Sequence, residues 1–232
     1  MKVIYVIFSL SITSAATFAQ TWTSLCNGRN LDGWQRAGES APFSVADGSI
    51  VMHQKANTKV HSFIHTNEKY KDFILEFEAK RDASYHYGVL FRAKTATVTA
   101  KVSLLGYQIK VDHDKKRRWT GGIFDDFGDT WQWLYPLTDN QPAQAALKPP
   151  GAWDHYRIEA IGNKIRVWLN NVETVNMQND KYDEGYVALK IHFLGDNPER
   201  EKFAGEIRNM KILTSELEQY SRPMTLPVKI VD

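Results

Sequence analysis

Apolar and polar positions alternate with period two along most of the chain, a pattern that predicts β-strands. Phe43-Ser44-Val45 and Ser49-Ile50-Val51-Met52 flank Asp47-Gly48, a pair that favours a tight hairpin turn. Over residues 73–80, Phe73, Leu75, Phe77 and Ala79 fall on one face and Ile74, Glu76, Glu78 and Lys80 on the other. Further strands are expected over 88–93, 107–112, 121–124, 155–162, 164–169, 172–176, 185–193 and 206–213, with Gly162-Asn163 and Asn170-Asn171 as turns. A helical stripe is confined to a short stretch near 215–220. Many short strands at this spacing mean an all-β fold, a sandwich or jelly roll in a single domain. The longest stretch without alternation, 125–151, is rich in Trp, Asp, Pro and Gln and reads as a functional loop.

The ends of the chain read differently. Lys2 precedes an almost wholly apolar run over 3–10, then small residues, with Thr17 and Ala19 three and one positions before Gln20. This is the pattern of a secretory signal peptide, residues 1–19, cut after Ala19. The mature domain is then expected over 20–214, with a tail over 215–232 lying on its surface. Export places the protein in a periplasm or outside the cell. No later stretch approaches the length of a membrane span, so no integral membrane segment is expected after cleavage.

Composition narrows the classes. A chain of 232 residues with 43% hydrophobic and 24% charged residues can bury one good core. The formal net charge of +2 supplies no global field for nucleic acid, and no nucleic-acid partner is expected. The basic run His113-Asp114-Lys115-Lys116-Arg117-Arg118 lies between two strands and reads as a solvated loop. Cys26 is the single cysteine, so no internal disulfide can form.

Strand parity then sorts the candidate chemistry. Tyr107, Ile109 and Val111 oppose Gln108, Lys110 and Asp112; Leu189, Ile191 and Phe193 oppose Lys190 and His192. Val89 and Phe91 oppose Leu90 and Arg92, and Ile165, Val167 and Leu169 oppose Arg166, Trp168 and Asn170. One reading of these polar faces is the wet side of an antiparallel sheet. The other rests on residue type: His, Arg, Asp, Gln, Asn and Trp hydrogen-bond and stack on sugars. Trp131 and Trp133, in the long loop, are candidate stacking surfaces. Asp125, Asp126 and Asp129 offer turn and capping roles or a divalent cation site, without the register of an EF-hand. Glu76 and Glu78 place two carboxylates on one face, as a retaining glycosidase requires.

The motifs together resemble one family. Residues 25–34 (LCNGRNLDGW), 45–52, 70–80, 88–93, 106–114, 120–124, 151–171, 184–192 and 207–213 follow, in order, the pattern of the DUF1080 domain. The resemblance spans nearly the whole mature chain. It implies a concanavalin-like antiparallel β-sandwich, a carbohydrate ligand, and action on 3-keto glycosides as a lyase, hydratase or 3-keto-disaccharide hydrolase. In that chemistry a base removes the C2 proton, an enolate forms at C3, and the C1 oxygen leaves; hydration completes a net hydrolysis. By position Arg92, Asp112 and His192 match the family's usual polar strand residues; for the implied chemistry His192 is then expected as base or acid, with Asp112 orienting it or binding metal. Arg92, Lys110 and Lys190 would stabilise the oxyanion, with Gln108, Glu78, Trp131, Trp133 and Trp168 contacting substrate. A divalent cation is a further candidate electrophile. The sequence departs from the family where Gln108 replaces a usual Glu and where Lys110 and Lys190 replace Gln. These departures leave open a carbohydrate-binding module of the same fold without catalysis.

Overall fold

The computed structural model describes residues 22–82, 85–98, 101–112, 120–127 and 130–231, with backbone alone at 98, 101, 126–127 and 130–131. The predicted leader and the basic run at 113–118 lie outside the described residues.

The strands follow the alternation. In chain order they are β1 (Thr23–Ser24), β2 (Trp34–Gly38), β3 (Phe43–Ala46), β4 (Ser49–His53), β5 (Ser62–Tyr70), β6 (Phe73–Arg81), β7 (Tyr87–Val98), β8 (Lys101–Val111), β9 (Ile123–Phe127) and β10 (Thr130–Tyr135). A short helix, α1 (Gln141–Ala146), precedes β11 (Trp153–Ile161), β12 (Lys164–Leu169), β13 (Val172–Gln178), β14 (Gly185–Ile191) and β15 (Ala204–Leu213). Helix α2 (Leu217–Tyr220) and β16 (Lys229–Ile230) end the chain. The hairpin turns are those the sequence names. Asp47-Gly48 and Asn170-Asn171 have positive φ at both residues, the type I′ geometry whose twist matches the flanking strands.

Two sheets pack face to face. The larger has nine strands in the order β16-β13-β12-β11-β6-β15-β4-β3, with β1 added on β15. The smaller has seven, β10-β9-β8-β7-β14-β5-β2. Inward residues of both form one apolar core. Phe73, Leu75, Phe77, Ile158, Val167 and Ile207 meet Tyr87, Val89, Ile109, Leu189 and Ile191. The fold is therefore the predicted all-β sandwich.

Two departures from the pattern shape the molecule. Residues 125–151 are not one irregular loop: they contain the end of β9, all of β10 and α1. β10 is an edge strand whose alternation is confused by aromatics on both sides. The other departure is a bulge after Phe91, where Arg92 has φ +49°. Beyond it the β7–β8 hairpin leaves the sheet plane. β8 lies four strands from β2, about 19 Å in a flat sheet, yet the two strands approach each other. Leu104 of β8 packs with Phe63, Leu90, Ala93 and Ala188, so the hairpin curls over the outer face of the smaller sheet. Gly185 makes room for the bulge: a Cβ there would stand 2.3 Å from the Arg92 carbonyl carbon.

Candidate functional site

The outer face of the smaller sheet carries a polar row where strand ends meet. Lys190 of β14 registers with Gly88 of β7, and Gly88 registers with Lys110 of β8. The two lysines thus stand on either side of a glycine, about 10 Å apart at Cα. The absent side chain leaves a slot. The Gln108 amide fills it: a Cβ on Gly88 would lie 2.4 Å from Gln108 Cδ. Aromatic rings support both cations, with Lys110 Nζ 5.4 Å from the Phe124 centroid and Lys190 Nζ 5.8 Å from that of Phe63. Lys110, Lys190 and Gln108 are all buried. Both polar atoms of the Gln108 amide lack a hydrogen-bond partner, a state that costs about 1–3 kcal/mol when left unmade.

His192 follows β14 and closes the row. Its Nε2 lies 3.0 Å from Lys110 Nζ. An ammonium has only donors, so Lys110 donates and the neutral imidazole carries its proton on Nδ1. Two further histidines surround it: the His61 ring at 5.0 Å and the His86 ring at 4.7 Å. Burial, then Lys110, Lys190 and the other two imidazoles, push the His192 pKa well below the ordinary histidine value. Burial and the same lysines lower that of His61 to about 2. The cluster therefore holds neutral imidazoles beside ammonium groups.

The structure sorts the sequence candidates. It brings together Lys110, Lys190, His192 and Gln108. Asp112 is buried just beyond Lys110, its backbone held by Thr120 and by Arg81 Nε, which donates to its carbonyl at 3.0 Å. His192 Nε2 is engaged by Lys110. Arg92 is four residues from Gly88 along β7, about 13 Å away, within the bulge. It is 1% exposed and donates to the carbonyls of Lys71, Gly162 and Tyr182 and to the Asp72 carboxylate. It ties turns of the two sheets together and is not an oxyanion group. Trp133 is half-buried, edge-on to Phe124 at 5.4 Å, on the same face as Gln108. The side chain of Trp131 lies outside the described residues.

Trp168 and Glu78 belong to the other sheet. Trp168 is 3% exposed and lies beneath Arg166 and Arg222, so it offers no surface to a sugar. Glu78 accepts from Arg208 Nε at 2.8 Å and Asn209 Nδ2 at 2.6 Å. Glu76 accepts from Arg157 at 2.6 Å and pairs with Lys211 at 3.1 Å. Burial raises the pKa of each, but these bonds outweigh it and hold both carboxyls below their usual value. The general acid of a glycosidase needs the opposite shift. Asp125 is also structural: it accepts from Tyr182 and pairs with Lys181.

Among the described residues, no group of three or more His, Cys, Asp or Glu is arranged to hold a metal ion. The three imidazoles do not fit one either, because His192 Nε2 is engaged by an ammonium and His61 Nδ1 accepts the Phe193 N–H at 3.1 Å. Sequence reasoning gave no role to His61, His86, Phe63 or Phe124, and its parity put Phe193 on the apolar face; β14 ends at Ile191, so Phe193 is exposed instead. The signal for two of them is present in the sequence: His61 directly precedes β5 and shares parity with its Phe63.

Similarity to solved structures agrees with the architecture. A carbohydrate-binding module from Bacillus subtilis superposes with a TM-score of 0.55 at 16% identity, over 78% of this chain and 95% of that one. An endo-β-galactosidase from Clostridium perfringens that releases GlcNAcα1-4Gal gives 0.59 at 12% identity, over 90% and 65%. A galectin-like protein from Bacillus subtilis gives 0.51 at 9% identity, over 84% and 98%. These likenesses are of fold. No protein of curated function matches the chain. No helix among the described residues is long and apolar enough to cross a membrane. Residues 21–212 match the 3-keto-alpha-glucoside-1,2-lyase-like domain, and the chain belongs to that family.

Proposed function

We propose that the protein cleaves 3-keto glycosides by elimination across C1–C2, followed by hydration. The observation that carries this reading is the Lys110–His192 pair, an ammonium and an imidazole 3.0 Å apart. The reaction needs an electrophile at the C3 oxygen and a base at the hydrogen on C2, and those carbons are bonded neighbours. When the C3 oxygen draws the Lys110 ammonium, His192 Nε2 is freed to take the C2 proton. The electron pair moves into the C2–C3 bond and charge collects on the C3 oxygen, where Lys110 and Lys190 stabilise it. The enolate then expels the C1 oxygen, which takes the proton held by His192 as it leaves, and water adds across the resulting enone, oxygen to C1 and hydrogen to C2. Neutral histidine beside ammonium suits this division of labour; the ion-paired Glu76 and Glu78 do not suit glycosidase chemistry.

Incubation with methyl 3-keto-α-glucoside and with its unoxidised parent tests the proposal. Turnover is expected for the ketone alone, with solvent deuterium entering C2. His192→Gln retains hydrogen bonding but cannot shuttle a proton, so its kcat should fall about 10²–10⁴-fold. Turnover of the parent, or wild-type kcat in the variant, overturns the mechanism. Binding of both sugars with no turnover favours the second reading, a carbohydrate-binding module. Its support is Gln108, an amide where the family resemblance has a carboxylate.

The leader over 1–19 supports export to a periplasm or the medium. The mature soluble protein should then begin at Gln20, and N-terminal sequencing of protein from its native source checks this.

A further inference from the structure

Phe193 and His61 stand at the rim of the polar row and have no part in the chemistry above. Phe193 leaves the end of β14 and is 52% exposed, the one exposed phenylalanine among the described residues. Single exposed apolar residues are common, but this one is tied to a polar group. Its backbone N–H donates to His61 Nδ1 at 3.1 Å, and the two rings lie 5.1 Å apart, inclined by 39°. That hydrogen bond fixes a tautomer: a neutral imidazole that accepts at Nδ1 carries its proton on Nε2. Burial, and then Lys190 and Lys110, hold His61 uncharged and keep it in that form. His61 also meets His192 edge-on at 5.0 Å, so it stands between the exposed ring and the Lys110–His192 pair.

An exposed aromatic face beside a fixed neutral donor matches the two surfaces of a pyranose, an apolar face of C–H groups and a rim of hydroxyls. We infer that Phe193 and His61 form a saccharide subsite: the sugar stacks on the Phe193 ring, and His61 Nε2–H donates to one of its oxygens. The inference rests on the reading of this face as a sugar site, and not on the elimination. Phe193 is then a specificity-determining residue that acts through binding.

The experiment measures Kd for methyl α-glucoside and for methyl 3-keto-α-glucoside, with kcat and KM for the latter. The proteins are wild type, Phe193→Ala, Phe193→Tyr, His61→Leu and His61→Gln, and ¹⁵N spectra of the wild-type histidines are recorded alongside. Phe193→Ala should raise Kd and KM about tenfold with kcat and melting temperature unchanged, and Phe193→Tyr should restore binding. His61→Leu should weaken binding by a similar factor, while His61→Gln, which keeps a donor, stays within about threefold. The His61 resonances should show the Nε2–H tautomer. Phe193→Ala binding within twofold of wild type overturns the subsite. So does an Nδ1–H tautomer, or failure of the wild-type protein to bind either sugar. Wild-type binding that Phe193→Ala weakens, without turnover, leaves the subsite standing and removes only the elimination.

Discussion

At the scale of single residues, the fold holds two histidines uncharged, and that has a thermodynamic consequence. His61 and His192 have pKa values lowered by burial first and then by Lys110 and Lys190, with His86 adding to the effect. In the unfolded chain each takes a proton near 6.5. Below that pH the unfolded state binds more protons than the folded one, so stability falls as pH drops, from 6.5 toward about 2 for His61. Each histidine contributes a slope of at most about 1.4 kcal/mol per pH unit, less where water screens it. Chemical denaturation between pH 7 and pH 5 should show declining stability in wild type and a shallower decline in His61→Gln. Equal slopes would mean that His61 protonates freely in the folded state. The sequence announced Lys110, Lys190 and His192 by parity, because the core fixes which side of a strand each residue faces. It did not announce that Lys110 would orient His192, since parity says nothing about contacts between strands. Arg92 failed for a different reason: the bulge at its own position broke the period that placed it.

At the scale of elements, the site depends on what a strand leaves out. Gly88 sits near the start of β7 between two lysine-bearing neighbours, and the Gln108 side chain from β8 occupies the space above it. Gly88→Ala would drive a methyl to 2.4 Å from Gln108 Cδ, and two more side-chain atoms of Gln108 lie within 2.8 Å of it. Overpacking of this kind costs about 1–3 kcal/mol. Gln108→Ala alone should cost little, because its amide makes no hydrogen bond that is lost. The double variant should recover most of the Gly88→Ala loss, a coupling readable in a double-mutant cycle by urea denaturation. Additive losses would show that the strain lies in the backbone and not at the amide. Elements with clean alternation, such as β6 and β12, were legible because each has one face in the core and one outside. β5 and β10 were not. β5 begins directly after His61 and carries Phe63 and His65 on the face opposite Ile64, so polar and apolar positions do not separate. β10 mixes Trp131 and Trp133 with Leu134 and Tyr135 at a sheet edge, where burial imposes a weaker pattern.

At the scale of the whole molecule, the two sheet faces do opposite things. The smaller sheet keeps its polar row at a rim, whereas the larger sheet covers its own with the end of the chain. Across β6, β11, β12 and β13 the residues Glu76, Arg157, Glu159, Arg166 and Glu173 form a ladder of ion pairs at 2.6–3.2 Å. The tail completes it. Arg166 donates to the carbonyls of Arg222 and Pro223, and Arg157 donates to that of Tyr220. Glu159 accepts from the Arg222 N–H, and Glu173 accepts from the Thr225 and Leu226 N–H groups. β16 then pairs with β13. A surface tail was expected from the sequence; a tail that satisfies a buried charge ladder was not, because the ladder residues are spread over four strands. Ending the chain after Thr214 removes these partners and uncovers Trp168. Hydrogen bonds to charged groups are each worth about 1.5–3 kcal/mol, but the stripped groups regain water, so the net loss should be about 2–4 kcal/mol. Exposed pairs are screened by salt and covered ones much less, so stability of the truncated protein should respond to salt more than that of the full chain. KM and kcat should stay at wild-type values, because the strap and the Lys110–His192 pair lie on opposite sheets. The measurement is thermal unfolding at low and high salt together with steady-state kinetics on the 3-keto glucoside. Lys229 of the strap reaches the edge strand β10, donating to the Leu134 carbonyl at 3.4 Å, so activity lost without a drop in stability would mean that this contact takes part in binding.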